Sequence, residues 1–458
     1  MSKNKKDSWV TDVKFIFDEC ARLMSVAGNG LKQIPREDSL YMLPHPSGRG
    51  SMICGRAAAE KVAGLANEAA RRSGLTRRIE HSTIRRPVEY LLVNRFMKEK
   101  RLLNITEVDR VLAAAARQAR SKLSTTTHLV PCHLISARDP AQIVIGPVKF
   151  HNRSSIRALL LQRFREARSV DGDDIEEHRR SLLTTAIRYY RNFRWVAEVQ
   201  VAGYDANTSA EVAKYAVTAA LDCIHILFGF ERTDRMQVGG VAMRMDRRAM
   251  LTISESGAVE PSLSATAFGH VEYQDGWSQV LDTEEFRSWA DLCGVALEAA
   301  VDLDLNRPLS RRFLDAVQWF GEGCREENAS TRTIKFMTAV ERLLTTGERD
   351  DVSRMIGERT ANLCFFPNES RNQWMEKALR AYDYRSRLVH GSMSPRDPEA
   401  WRGARLAAEV SQAVLLRVLE TFEASGLRAP DMTERQLAKW FERVEIWSEA
   451  FQSAHSSN

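Results

Sequence analysis

Residues 371–391 read RNQWMEKALRAYDYRSRLVHG, and the way this stretch ends decides how the C-terminal part of the chain is read. It has the texture of a helix running into a terminator, Gly391, with two tyrosines, Arg385, Arg387 and His390 crowded into the last turns. On a helix, residues five apart are separated by about 140° around the axis and roughly 7.5 Å along it. Arg385 and His390 therefore do not share a face, and their heads converge only on something lying alongside the helix. Ser386, four residues before His390, stands over the imidazole and is placed to orient it by a hydrogen bond. The last turn of a helix favours a protonated histidine, and histidine is the residue type that changes charge near neutral pH. A histidine that moves a proton, beside an arginine that forks onto a phosphate, suits phosphodiester cleavage, with the arginine stabilising charge on the phosphorus oxygens. RNA brings its own nucleophile, the 2′-hydroxyl, so this chemistry requires no metal and no cofactor, and none is expected. Of the ten histidines, only His390 has an arginine five, six or seven positions before it.

Around this stretch, every segment from residue 283 onward reads as helix, from TEEFRSWADLCGVALEAAV through TRTIKFMTAVERLLTT and DVSRMIGERTANLCFF to PEAWRGARLAAEVSQAVLLRVLETF. Short linkers with Gly, Asn or Pro separate them, the layout of an antiparallel helical bundle. A last helix opens at Thr433, where Gln436 completes a capping box, and carries Trp440 and Trp447. Upstream, THLVPCHLI, AQIVIGPVKF, FRWVAEVQVAG, QVGGVAMRM and AMLTISES are β-rich runs interleaved with helices. Before residue 126 the chain is again helical: GRAAAEKVAGLANEAARRSG stops at Gly74, and TEVDRVLAAAARQARSKL opens with Thr106 and Asp109 at capping-box spacing. The expected fold class is multidomain α+β and mostly helical. Its parts are a helical N-terminal region over 1–125, an α+β sensor or regulatory domain over 126–282, a helical domain over 283–427, and a C-terminal helix and tail over 428–458.

Bulk properties bound the function classes. With 44% hydrophobic and 28% charged residues the chain has the composition of a folded globular protein rather than a disordered one. No apolar run approaches the roughly 18–20 residues that span a bilayer, and the basic N-terminus has no apolar segment behind it, so no membrane partner and a cytoplasmic location are expected. Seven scattered cysteines without a C-x-x-C pair suit free thiols in a reducing compartment. A net charge of +6 is compatible with a polyanionic partner without demanding one. There is no G-K-[ST] in PSGRGSMICGR (46–56), no G-x-S-x-G and no H-E-x-x-H, which removes the phosphate-loop hydrolases, the nucleophile-elbow hydrolases and the zincins.

YDYRSRLVHG follows a helix reading FMTAVERLL and another reading MIGERTANLC, with a long helix after it, and in this arrangement residues 305–427 resemble the HEPN superfamily of helical-bundle domains, most closely its Apea-like branch. The family's catalytic pattern is Arg, four to six residues, then His, often followed by Gly; Arg385, His390 and Gly391 match it with a four-residue gap. Many members carry Asn directly after the Arg, where this chain has Ser386, similar to the "RS" version of the Apea-like branch. The resemblance implies a C-terminal HEPN-like antiparallel bundle and a metal-independent endoribonuclease with Arg385, His390 and Ser386 as its catalytic set. It further implies that two domains pair as a homodimer or higher homo-oligomer, so that both Arg–His sets line one composite cleft. Glu341 and Arg359 occupy places where the family tends to carry an acidic and a basic residue, and the expectation is a buried pair bracing the bundle; Arg387 and Tyr384 are supporting candidates. Such enzymes commonly act as toxins or effectors of antiphage defence, cleaving transfer or messenger RNA, and stay quiet until a phage-derived or cellular trigger arrives. A different class remains open: a non-catalytic HEPN-like module that binds RNA or protein and dimerises.

Two other features carry candidate chemistry. RRSGLTRRIEHSTIRRP (71–87) reads either as a solvated surface or as a contact to a nucleic-acid backbone through Arg71, Arg72, Arg77, Arg78, Arg85 and Arg86, without an aromatic residue for base stacking. If this basic region were the business end, the chain would act as a DNA-binding regulator; Arg163, Arg165 and Arg168 raise the same question. HLVPCH groups His128, Cys132 and His133, but in a strand His133 faces away from the other two, and no second cluster completes a tetrahedral metal site, so they read as strand residues beside a core.

Overall fold

The computed structural model describes residues 3–28, 41–135, 140–158, 177–239, 245–253, 259–267, 276–347, 351–365 and 370–456. The protein is mostly helical, with a small antiparallel sheet. Its chain divides into two compact units, one formed by residues 1–126 with 201–211 and the other by 127–200 with 212–458.

The first unit is built on α1 (Lys3–Gly28), the hairpin β1 (Tyr41–Pro44) and β2 (Ser51–Cys54), α2 (Arg56–Arg72), α3 (His81–Leu92), which runs on through a π turn (Val93–Lys98), and α4 (Ile105–Arg120). Apolar residues at helical spacing make its core: Trp9, Val13, Ile16 and Cys20 of α1 pack with Ala58, Val62, Leu65 and Ala69 of α2 and Val108, Leu112, Ala115 and Ala119 of α4. Helix α2 stops as expected, with Ser73 at its C-cap and Gly74 at φ +68°. Helix α4 starts two residues earlier than the Thr106–Asp109 spacing suggests. Asn104 is its N-cap, accepting from the Glu107 N–H at 3.0 Å, because a short amide side chain at the boundary reaches the free donors of the first turn.

Most of a five-stranded sheet lies in the second unit, in the order β4-β5-β6-β3-β7, from β3 (Ser124–His133), β4 (Gln142–Ile145), β5 (Val148–Asn152), β6 (Trp195–Tyr204) and β7 (Gln237–Val238), with residues 124–126 of β3 and 201–204 of β6 counted in the first unit. Pairs β4–β5, β5–β6 and β3–β7 are antiparallel. The unit also includes α5 (Glu177–Tyr190), α6 (Ala206–Phe228) from residue 212 onward, and the hairpin β8 (Met245–Ile253) and β9 (Val259–Ala267). From Glu284 onward every described element is a helix: α7 (Glu284–Val301), α8 (Pro308–Arg325), α9 (Ala329–Leu344), α10 (Val352–Cys364), α11 (Arg371–Val389), α12 (Ala400–Arg428) and α13 (Glu434–Ser456). Phe313 and Phe320 of α8, Phe336 and Val340 of α9, and Val414, Val418 and Leu419 of α12 are fully buried at its centre. The Ser411 hydroxyl donates to the Phe336 carbonyl, joining α12 to α9. Sheet and helices touch without side chains at one point: a Cβ on Gly146, at the β4–β5 turn, would fall 2.4 Å from the Cα of Gly294 on α7. The capping box at Thr433 is formed, with Gln436 N–H donating to Thr433 Oγ1 at 3.3 Å and Thr433 N–H to Gln436 Oε1 at 2.8 Å.

Candidate active site

Helix α11 opens on a second capping box, Ser370 with Gln373, and its buried residues are Trp374, Ala378 and Ala381. That is an i, i+4, i+7 stripe, and the next position on it is Arg385. The arginine thus sits where the helix faces its neighbours, and a charge there requires a partner. Glu341 of α9 supplies it: Arg385 Nη2 lies 3.1 Å from Glu341 Oε1 and 3.2 Å from Oε2, with the two side chains 22% and 20% exposed. The guanidinium also lies over the Tyr382 ring at 5.5 Å, and its Nε is buried without a partner among the described residues. Burial, and then the Glu341 carboxylate, push the Tyr382 hydroxyl up from its ordinary range, against the pull of Arg385. The set Glu341, Tyr382 and Arg385 is a small ionic cluster between α9 and α11.

His390 is the C-cap of α11 and its backbone N–H donates to the Ser386 carbonyl at 2.9 Å. Gly391 follows at φ +76°, with open space where a Cβ would be, so glycine serves here for its left-handed conformation alone. The chain then folds back, the Met393 N–H donating to the Arg387 carbonyl at 3.1 Å, with Met393 buried. His390 is exposed, and among the described residues its ring and the Ser386 hydroxyl make no hydrogen bond. The link between these two residues runs through the backbone.

Arg387 pairs with Asp383 at 3.7 Å and lies 6.0 Å over the Tyr384 ring. Tyr384 in turn presses on α12, where a Cβ on Gly403 would meet its ring carbon at 2.8 Å. Glu341 is taken by Arg385 rather than by Arg359. Arg359 donates instead to the Leu344 carbonyl at the C-terminus of α9, a favourable place for a cation, and lies over Phe441 at 4.4 Å. The expected Glu341–Arg359 brace is therefore replaced by two braces: α11 is tied to α9 by Glu341–Arg385, and α10 to α9 and α13 by Arg359.

The basic run of the first unit is largely occupied. Arg71 and Arg72 both reach Glu68, and Arg72 also pairs with Asp109 at 2.7 Å and lies over Trp9 at 4.1 Å. Arg78 donates to the Gly203 carbonyl and faces Tyr204, and Arg85 pairs with Glu89 at 2.7 Å. Arg77 and Arg86 are exposed. Arg163, Arg165 and Arg168 lie outside the described residues; the described chain before them is helical over residues 153–158. On β3, Cys132 is fully buried and donates to the Val130 carbonyl, its thiol pushed up to about 12 by burial, while His133 packs at a tilt against Phe193, ring centroids 4.9 Å apart, with burial pushing its imidazole down. Among the described residues no group of three or more His, Cys, Asp or Glu side chains gathers as metal ligands.

Tyr382 escaped the sequence reading although it stands in the motif, since its role depends on Glu341, forty-four residues before Arg385. Comparison with known proteins finds no family model, no curated protein and no solved structure that matches this chain. Among the described residues no helix is long and apolar enough to cross a membrane.

Proposed function

We propose that this chain is a metal-independent endoribonuclease of the HEPN type, its C-terminal helices forming a HEPN-like antiparallel bundle, with Arg385 and His390 as the reacting pair. The observation that carries the reading is the end of α11, where an exposed histidine cap and an arginine held by Glu341 lie five residues apart. The 2′-oxygen of RNA attacks phosphorus and gives its proton to His390; the P–O5′ bond breaks, the leaving oxygen takes a proton from water, and His390 returns its own to the solvent. Arg385 stabilises the charge that builds on the phosphorus oxygens. The products are a 2′,3′-cyclic phosphate and a 5′-hydroxyl end. Tyr382 and Glu341 set the arginine's position, and a phosphate must compete with Glu341 for it. Following the family resemblance, the substrate is transfer or messenger RNA. The working form is a homodimer or larger homo-oligomer in the cytoplasm, and the setting is antiphage defence or a toxin released by a phage-derived or cellular trigger.

A second reading, a non-catalytic RNA- or protein-binding dimerisation module, is favoured by one observation: Arg385 is already engaged by Glu341. The two divide on one experiment. Wild type, Arg385→Ala and His390→Ala are incubated with total cellular RNA in EDTA, with and without lysate from phage-infected cells. Cleavage by wild type alone, leaving 2′,3′-cyclic phosphate ends, is the expected result. Equal behaviour of all three in both conditions assigns the chain to the binding class.

A further inference from the structure

A second feature of the second unit has no part in the Arg385–His390 site. Where α6 ends, a short 3-10 turn (Phe230–Arg232) faces α12 across a cavity of about 670 Å³, lined by Phe228, Gly229, Phe230, Arg232, Arg402 and Arg405, with Glu231, Leu406, Glu409 and Gln412 completing it. That volume falls within the range of small-molecule sites. The α12 residues 402, 405, 409 and 412 recur at helical spacing, so one face of the helix forms a whole wall.

The lining is built for an anion. Glu231 is matched by Arg405 at 3.2 Å and Glu409 by Lys377 at 2.8 Å, so the two carboxylates are neutralised by neighbours. Arg402 is exposed and has no ion pair among the described residues, leaving the cavity with a cation whose fork is unused. The Arg405–Glu231 pair is open to solvent, 61% and 57% exposed, and such pairs exchange partners at little cost. Two aromatic side chains also line the cavity. Phe230 is fixed by Phe336 at 5.8 Å, and the Arg332 guanidinium lies 5.6 Å from both the Phe230 and the Trp401 rings. Phe228 is held by Phe286 at 5.5 Å and Trp277 at 6.0 Å. Gly229, at φ +81°, keeps the floor low: a Cβ there would come 3.3 Å from Gln412 Oε1, while Gln412 Nε2 donates to the Ile226 carbonyl at 2.8 Å.

We infer that this cavity binds a nucleoside phosphate, its phosphate on Arg402 and Arg405 and its base against Phe230. Arginine forks recognise phosphate by paired N–H donors, and aromatic faces accept any base by stacking. Two sources carry this chemistry: a free nucleotide acting as a signal, or a segment of an RNA strand. None of the contact residues belongs to the Arg385–His390 pair, so the inference stands apart from the nuclease reading.

The test measures fluorescence anisotropy with a fluorescent ATP derivative and with a 5′-labelled RNA of about ten nucleotides. It is run on the full chain carrying His390→Ala, so that cleavage cannot affect the reading, and on the same chain with Arg402→Glu or Arg435→Glu added. Arg435, an exposed arginine on α13, controls for net charge. The expected result is saturable binding of at least one probe, weakened about tenfold or more by Arg402→Glu and within about twofold by Arg435→Glu, as for loss of one charge-assisted contact. Unlabelled ATP displaces the probe and adenosine does not. Binding of the ATP derivative assigns a free-nucleotide site, and tighter binding of the RNA assigns a strand subsite; either supports the inference. No saturable binding of either probe, equal losses from the two variants, or displacement by adenosine as good as by ATP would overturn it.

Discussion

Arg385 continues a buried stripe that is otherwise Trp374, Ala378 and Ala381, so the site begins as an arginine in a place where packing would prefer an apolar side chain. Glu341 offsets the cost, and their coupling is measurable. Glu341→Gln is expected to lower stability by between about 1 kcal/mol, the figure for an exposed pair, and about 3 kcal/mol, the figure for one wholly buried. Adding Arg385→Met to it should recover most of the loss, since the guanidinium left without its counter-charge is then gone. Strictly additive losses in that double-mutant cycle would show the pair to be uncoupled. If Glu341 restrains Arg385 until a phosphate arrives, Glu341→Gln also raises affinity for RNA while lowering the melting temperature, two changes of opposite sign that a merely structural glutamate would not give. What was legible here was local. The Arg–His spacing, the Gly391 stop and the Thr433 cap lie within one or two turns of helix and can be read from neighbours. The partner of Glu341 could not be read, because a charge on the buried face of α9 can be met from any helix packed against it.

Between elements, the clearest device is a buried ionic cluster joining α6 to α8. Asp222 and His225 are fully buried, and Arg325 Nη1 donates to Asp222 Oδ1 at 2.7 Å and lies 3.0 Å from His225 Nε2. Helix α8 comes this close only because residue 321 is glycine; a Cβ there would fall 1.9 Å from Asp222 Oδ1. Burial pushes Asp222 up from 3.8 to about 7, Arg325 pulling it back and Glu322 adding to the rise. Burial and the charge of Arg325 push His225 well below 6.5, opposed by the backbone of Met236. Asp222 keeps its proton in the folded chain up to about 7 but loses it near 3.8 when unfolded, so its contribution to stability falls as pH rises across that window. His225 does the reverse: below 6.5 the unfolded chain takes up a proton that the folded chain refuses, so its contribution rises with pH toward 6.5. The two slopes, each up to about 1.4 kcal/mol per pH unit, nearly cancel in the wild type. Asp222→Asn should therefore gain urea resistance, relative to wild type, between about pH 5 and about pH 7, and His225→Gln should lose it. Shifts of the same sign in both variants would overturn this account. The sequence conceals the cluster, since SAEVAKYAVTAALDCIHILFG reads as one apolar helix and nothing local says that its aspartate and histidine point at an arginine a hundred residues on. Strand order was hidden for the same reason: β3 lies between β6 and β7, pairings made only once distant segments meet.

At the scale of the whole molecule, each copy carries one Arg385–His390 set, and the two side chains leave α11 in directions about 140° apart. That geometry suits a composite cleft in which the arginine of one copy works with the histidine of another, and symmetry then gives the cleft of a dimer two such Arg–His sites. Mixing inactive variants distinguishes this from a site complete within one chain. In a heterodimer of Arg385→Ala with His390→Ala, one site combines both lesions and the other combines an intact arginine with an intact histidine. With equal amounts and free exchange, half of the dimers are mixed and each has one of its two sites working, so the mixture should recover about a quarter of wild-type cleavage while each variant alone has none. If the pair instead works within one chain, every site in the mixture carries a lesion and the recovery is nil. The mixture must first be shown by light scattering to be dimeric and to exchange subunits. A chain that stays monomeric under conditions where wild type cuts RNA would end the composite-cleft reading and leave Arg385 and His390 to act from a single copy of α11.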